Sequence, residues 1–581
     1  MHELPNNGMD EDALRMEKDR TYMNSPCKVG IHQFYGIEIN DFAVQVSRAA
    51  LWIANCQMND EMEEKFDITV QGLPLSRNNQ IVCQDALTNP WELVVPSHKL
   101  NYIIGNPPFN GSQVMDDEQK KSMKEAMSAV NDMGKKVWKS HGKMDFVCGW
   151  YAKAAEYMKG HRNIRAAFVS TNSLTQGEQV FLLWKPLVEQ YGLKISFAWR
   201  TFVWENEADE NAHVHCVIIG FYFRKTPAKE KCYIYEEGKE TLECDMINGY
   251  LFPAKHYFLS NARKHIQCNL VHPMRFGSMP NDCTVTRSSN GKEVPQLRLS
   301  EEERSELLSK FPELQPYILQ ILGGDEFING NIEYCIWISK DAPLEVINHP
   351  ALKERFDNVR KQRKSSTRKE TQALADTPYL FGERRQPKDR YLLVPGTSSE
   401  NRKYIPIGFV EPNIICSNAA LSVDACSLWE FGVLTSSLHN AWIKIVSGRL
   451  KSDYRYSASV VYNNFPWPEA LDDSLKEAVE KTAQAILDVR SEYADNTMAE
   501  LYAVNMSPAL LAAHQANDKA VINAYAEMGI RENMTDEEMV LVLLERSVAI
   551  ANPPSKKQKK IKNKRKRQKA KNAELQFEVE K

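Results

Sequence analysis

The chain has 581 residues, 43% of them apolar and 26% charged, with a net charge of −3. That length allows two or three domains with sizeable cores, and no apolar run approaches the roughly 20 residues of a membrane span. Twelve cysteines occur without a single Cys-x-x-Cys pair, so they read as reduced thiols of a cytoplasmic protein. His213 and His215 alternate along a strand without cysteine partners, and no metal site is expected.

In chain order, residues 1–33 are polar and charged and are expected to be irregular or helical; they hold Gly8 and Gly30 but no Gly-x-Gly. Residues 33–39 (QFYGIEI) are apolar and β-rich, and a helical pattern over 41–59 follows, with Asp41 placed to cap it. Glu38 thus falls near a strand end, where nucleoside-binding α/β folds put a carboxylate that accepts hydrogen bonds from ribose hydroxyls. Glu63, Glu64 and Lys65 form an isolated Glu-x-Lys pattern that reads as a solvated helix end. Residues 79–87 (NQIVCQDAL) predict a short strand followed by Asp85.

Residues 100–105 (LNYIIG) read as a buried strand cut off by Asn106-Pro107-Pro108-Phe109. Two successive prolines hold φ near −65° and donate no hydrogen bond, so the chain leaves the sheet as a stiff, extended turn. That turn places the Asn106 amide and nearby carbonyls at the carboxyl edge, where open α/β sheets bind ligands. Rigid acceptors beside the ring of Phe109 suit a flat heterocycle with an exocyclic amino group. Downstream come a helix over 145–158, a strand at 164–170, a Thr171-Asn172-Ser173 turn, a helix over 176–191, and strands at 193–200 and 213–223. This alternation predicts a mostly parallel sheet with helices on both faces.

The NPPF run, with these elements in this order, resembles the gamma arrangement of amino-methylating DNA methyltransferases, mostly adenine-specific ones. The resemblance implies that Asn106, Pro107, Pro108 and Phe109 form the catalytic motif. It implies that Glu38 holds the ribose of S-adenosylmethionine and that Asp85, or its neighbouring backbone, contacts the cofactor's adenine. It also implies double-stranded DNA as partner and offers Phe202 and Trp204, in the run 200–206 (RTFVWEN), as the other wall around an extruded base. The family's cofactor loop, with its Gly-x-Gly on the first strand, belongs upstream of Glu38, and residues 1–33 do not contain it. In the family fold that strand lies between the strands carrying Glu38 and NPPF. The expected architecture is therefore an incomplete Rossmann-like α/β sheet with its first strand missing. On this reading the chain is the carboxyl-terminal part of a longer bacterial enzyme, from a split gene, a truncated gene or a late start site. A separate upstream chain would then carry the cofactor loop and a nuclease.

Residues 276–468 change character, with short β-rich pieces, many turns and basic–aromatic clusters. Lys361, Arg363 and Lys364, then Arg384, Arg385, Lys388 and Arg390, are candidates for phosphate contact and guanine readout. Segments 405–409, 417–420, 431–437 and above all 448–468 (GRLKSDYRYSASVVYNNFPWP) resemble MmeI-like single-chain (type IIG/IIL) restriction–modification enzymes. Within the last of these, Tyr454, Tyr456, Tyr462 and Trp467 are expected to pack. Residues 556–571 hold eleven basic residues in sixteen, which leaves −14 on the rest of the chain. Such a tail is expected to be disordered, as a phosphate-binding arm or a solubilising tail.

The expected domains are a charged segment (1–33), a partial methyltransferase domain (34–275), a mixed α+β target-recognition domain (276–468), a helical bracing region (469–552) and the basic tail (553–581). The expected activity is methyl transfer from S-adenosylmethionine to the exocyclic amino group of adenine in DNA, within a restriction–modification system. Cytosine amino methylation is a close variant, because it needs the same acceptors. The alternative is a catalytically silent DNA-binding specificity module.

Overall fold

The computed structural model describes residues 29–66, 80–204, 214–224, 230–260, 271–284, 294–469 and 471–552. The chain divides into two compact units, Met1–Thr171 with Leu182–Met246, and Asn172–Phe181 with Ile247–Lys581. His213 and the basic tail lie outside the described residues.

In the first unit two short strands, β1 (Gly36–Glu38) and β2 (Ile81–Cys83), pair in parallel, with Glu38 opposite Cys83. A second sheet has the order β3 (Tyr102–Gly105), β4 (Arg165–Thr171), β6 (Val214–Phe223), β5 (Leu193–Trp204), β7 (Cys232–Tyr235) and β8 (Leu242–Cys244). β3 and β4 are parallel, and β6 is antiparallel to both β4 and β5. The carboxyl ends of β3, β4 and β5 therefore emerge at one edge. β6 is largely buried, as its near-continuous apolar run requires of a central strand. The core beside it is aromatic. The ring of Tyr151 lies 5.2 Å from those of both Phe168 and Phe221, and its hydroxyl is 2.9 Å from Ser170 Oγ.

The elements differ from expectation in three places. The first long helix runs over Asp41–Phe66, and its cap is Asn40, whose Oδ1 accepts from the Ala43 N–H at 3.1 Å. The residues at 176–191 are helical, but Val180–Trp184 and Leu187–Tyr191 are wound as π-helix. Pro186 between them has no N–H for a regular turn. The third difference is β3, which composition marked as buried but whose Tyr102 and Ile104 are 72% and 84% exposed. The reason is topological: among the described residues β3 pairs only with β4 and so forms an edge of its sheet. The helix Asp41–Phe66 buries only Val44 and exposes Phe42, Val46 and Ile53. Among the described residues no strand joins β1 to β3.

The second unit begins with mixed α+β structure. One four-stranded sheet combines Arg298–Leu299, Glu333–Ile336, Ile318–Leu322 and Ile415–Cys416; another combines Gly408–Val410, Tyr391–Pro395, Ala420–Asp424 and Met274–Phe276. The first sheet shares a core with Leu352, Phe356 and Val359 of the helix Pro350–Ser365. Tyr454, Tyr456, Tyr462 and Trp467 are all buried, as expected. The helices Asp473–Glu492, Pro508–Ala524 and Asp536–Ala551 follow. Gly432 permits the close approach of Leu428–Leu434 to Asp473–Glu492, since a Cβ there would lie 2.7 Å from Val479. Among the described residues no helix is long and apolar enough to cross a membrane, and no group of histidine, cysteine and acidic side chains could hold a metal ion.

Candidate active site and nucleic-acid interface

Asn106 follows directly on β3; Gly105 is paired with Phe168, so β3 leaves the sheet three residues, roughly 10 Å along the strand, before β4 ends at Thr171. Pro107 is buried and anchors the turn, Phe109 is half-buried, and Asn106 and Pro108 are exposed. Beyond the motif the Phe146 N–H donates to the Asn110 carbonyl at 2.8 Å, so the turn is held at both ends. Gly105 sits opposite Phe168, where a Cβ would lie 3.4 Å from the ring. The result is the Asn106 amide presented to solvent on a support with little torsional freedom, next to the carbonyl of the buried Pro107. Such a pair can accept both hydrogens of an amino group.

Glu38 closes β1. Its Oε1 accepts from the Asn40 N–H at 3.0 Å, which leaves Oε2 for a ligand hydroxyl. Asp85 is more committed. Its Oδ1 accepts from the Leu87 N–H at 2.8 Å and its Oδ2 from Ser122 Oγ at 2.6 Å. Lys153 Nζ then donates to the Leu87 carbonyl at 2.8 Å. Burial pulls the Lys153 pKa down, and the carboxylates of Glu125 and Asp85 push it back. The Asp85 side chain thus fixes its own turn; to a ligand it offers mainly that turn's backbone. Ser122 and Lys153 are positioning residues that sequence reasoning missed. They lie 37 and 66 residues from their partners, and no local pattern marks them.

Phe202 and Trp204 end β5, with ring centroids 6.2 Å apart. They share the edge with NPPF because β5 is parallel to β3. However, β5 is three strand spacings away, roughly 14 Å, so the sheet itself does not set them beside Phe109.

The basic candidates separate sharply. Arg363 is fully buried. Its Nε donates to the Asn281 carbonyl at 3.0 Å, Nη1 to those of Leu374 and Thr377 at 2.9 and 3.0 Å, and Nη2 to those of Pro280 and Leu380, both at 2.7 Å. All five N–H groups are committed, which corrects its expected role as a DNA contact. The signal was in the sequence: position 363 continues the 352, 356, 359 stripe that faces the core. Lys361 and Lys364, on either side, are exposed. The Arg384 guanidinium stacks 3.9 Å from the Trp337 ring and donates to the Ile338 carbonyl. Arg385 pairs with Glu383 and reaches the Gly277 carbonyl at 3.4 Å. Arg390 Nε lies 3.5 Å from Glu411, and Lys388 is exposed.

Residues 8–236 match the family model for the MmeI DNA-methyltransferase domain, 253–469 that for the MmeI target recognition domain and 471–551 that for the MmeI C-terminal domain. The solved structure of the Type IIL restriction-modification enzyme MmeI in complex with DNA matches 90% of this chain and 67% of that chain, at 36% identity and a TM-score of 0.77. The chain belongs to the MmeI family. DNA methyltransferase A of Bacillus subtilis (strain 168) is 36% identical over 521 residues, 89% of this chain and 56% of the relative. The chain thus spans little more than half the length of that relative. Within the MmeI family frame, NPPF, Glu38 and Asp85 fall in the methyltransferase match, and the basic candidates fall in the target-recognition match.

Proposed function

We propose that this chain provides the methyl-transfer and target-recognition parts of a DNA methyltransferase that modifies the exocyclic amino group of adenine within a restriction–modification system. The observation that carries the reading is the rigid Asn-Pro-Pro-Phe turn at the carboxyl end of β3, in a region that matches the MmeI methyltransferase model. Asn106 Oδ1 and the Pro107 carbonyl accept the two amino hydrogens. This draws the nitrogen lone pair out of conjugation and stabilises the positive charge that develops as the nitrogen attacks. Phe109 stacks on the base, which must first leave the duplex. S-adenosylmethionine, when bound, supplies the electrophilic methyl group. Glu38 suits its ribose, and the backbone of the Asp85 turn suits its adenine. Cytosine amino groups present the same two hydrogens, so cytosine is the close variant.

Among the described residues no strand stands between β1 and β3, which supports a requirement for a further strand bearing a glycine loop. The expected result is that the 581-residue chain alone binds S-adenosylmethionine weakly or not at all, and that an upstream chain carrying such a strand restores binding. Titration calorimetry with and without that chain is the test; micromolar binding by this chain alone would sink the requirement. The same observation favours a second reading, a silent DNA-binding specificity module. It predicts site-specific binding with no methyl transfer under either condition.

Double-stranded DNA is the proposed partner, and the basic residues should divide in their effects. Deleting residues 553–581 should weaken binding to all sequences alike. It should also flatten the slope of log affinity on log salt by about 0.9 for each phosphate that the tail neutralises. Arg385→Ala should cost roughly 1–3 kcal/mol on the cognate site and relax preference at one base position. Arg384→Ala should lower stability more than specificity, because its guanidinium is held by Trp337 and Ile338. Salt titrations on cognate and scrambled duplexes separate these outcomes. Selective loss of cognate binding on deleting the tail would overturn the division.

A further inference from the structure

A cavity of about 670 Å³ in the second unit is lined by Asp389, Arg390, Phe409, Gln484, Arg490 and Ser491, among others. None of its lining residues belongs to the unit that carries NPPF. Its floor holds Arg490, on the helix Asp473–Glu492, which is 8% exposed. Arg490 Nη1 donates to the Ile407 carbonyl at 2.7 Å, and Nε donates to Tyr502 Oη at 2.8 Å, with Nη2 on the same hydroxyl. The rings of Phe431 and Tyr502 lie 5.4 and 5.0 Å from its Cζ. Every one of these partners is neutral. Tyr502 Oη lies 2.8 Å from His514 Nε2. Burial and the nearby Arg490 charge hold that imidazole well below its usual pKa, so it adds no anion. No carboxylate among the described residues forms an ion pair with Arg490.

A buried charge without an opposite charge is unfavourable unless something supplies one. Three of the five guanidinium N–H groups are used, which leaves one on each terminal nitrogen, as a bidentate contact to an oxyanion requires. The lining also holds Arg390, 4.7 Å over the Phe409 ring. Ser491 Oγ donates to the Asp488 carbonyl at 2.6 Å and Gln484 Nε2 to Asp488 Oδ1 at 2.7 Å, which leaves one Gln484 N–H as a neutral donor. Asp389 is the acidic group of the lining, and Arg390 Nε lies 3.5 Å from Glu411, so the positive charge without an ion-pair partner is that of Arg490. Cys426, also in the lining, is held protonated and neutral by burial. The volume exceeds what one tetrahedral ion needs and lies in the range of small-molecule sites.

We propose that this cavity binds a phosphate group through Arg490 and Arg390, presented either by a nucleotide or by the DNA backbone. The full 581-residue chain would be titrated at constant ionic strength with inorganic phosphate, with dAMP and with a short duplex, following the thermal midpoint and binding heat. Saturable binding of phosphate and dAMP is expected, weakened at least tenfold in Arg490→Gln and about threefold in Arg390→Gln. Arg490 also braces the fold, so if Arg490→Gln does not fold, Arg390→Gln and Gln484→Leu decide. Competition between dAMP and duplex assigns the site to the DNA backbone; simultaneous binding assigns it to a free nucleotide. Absence of saturable phosphate and dAMP binding, or binding that both wall variants leave unchanged, overturns the proposal.

Discussion

Replacing Asn106 by alanine is expected to lower methyl transfer by at least roughly 10²–10³-fold, the order seen when one preorganised polar group of a reacting centre is removed, while DNA affinity stays within about twofold. Asn106 is exposed, and it follows β3 without being part of its ladder. The substitution therefore leaves no buried group unpaired, and the stiffness of the turn resides in Pro107 and Pro108. What disappears is an acceptor for one amino hydrogen, in an interaction that strengthens as the nitrogen becomes tetrahedral. Its removal falls on the rate of the chemical step rather than on ground-state binding, whereas DNA affinity rests on phosphate contacts elsewhere. Single-turnover methylation of a cognate duplex, in the presence of whatever chain completes the cofactor site, measures the first quantity; duplex titration measures the second. Activity within tenfold of the parent would reduce NPPF to a structural turn.

Arg363→Ala is expected to destabilise the second unit by about 3–5 kcal/mol, a loss typical of breaking a buried charged network. The side chain draws five carbonyls from Pro280 and Asn281, from Leu374 and Thr377, and from Leu380 onto one guanidinium. Removing it leaves those acceptors dry and opens a void on the core-facing stripe of Phe356 and Val359. Arg363→Met restores volume but no donors, so it should recover only a minor part of the loss. Burial lowers the Arg363 pKa to about 10 while Asp282 pushes it up, so the group remains charged at neutral pH. Urea unfolding gives the stability. Below the transition, the folded variant should show the parent's salt dependence of DNA binding. A stable variant with a reduced salt slope would return Arg363 to the surface.

Much of the candidate site's frame was legible because it depends on short-range chemistry. Two prolines stiffen a turn wherever they occur, and an apolar run before them predicts a strand, so β3 and NPPF could be placed without coordinates. The alternation of strands and helices pointed to the sheet class, and the 448–468 run to a packed aromatic core. The exposed face of β3 could not be read in this way. An apolar strand has the same composition whether or not its neighbour is present, and burial depends on that neighbour. Arg363 and Lys361 look alike as sequence symbols, yet helical phase sends one to the core and the other to solvent.

The sequence by itself thus determined most of the element types, the stiff turn that carries Asn106, and membership of a methylating lineage, because periodicity, proline geometry and motif order are local properties of the chain. Only the tertiary structure decided that Asp85 accepts from Ser122 in a turn whose Leu87 carbonyl is held by Lys153, that Arg363 serves the fold while the Arg384 guanidinium stacks on Trp337, and that Arg490 carries a buried charge beside an open cavity. These are interactions between residues far apart in sequence, and their energies depend on burial and on which donor finds which acceptor. Neither is fixed until the chain has packed.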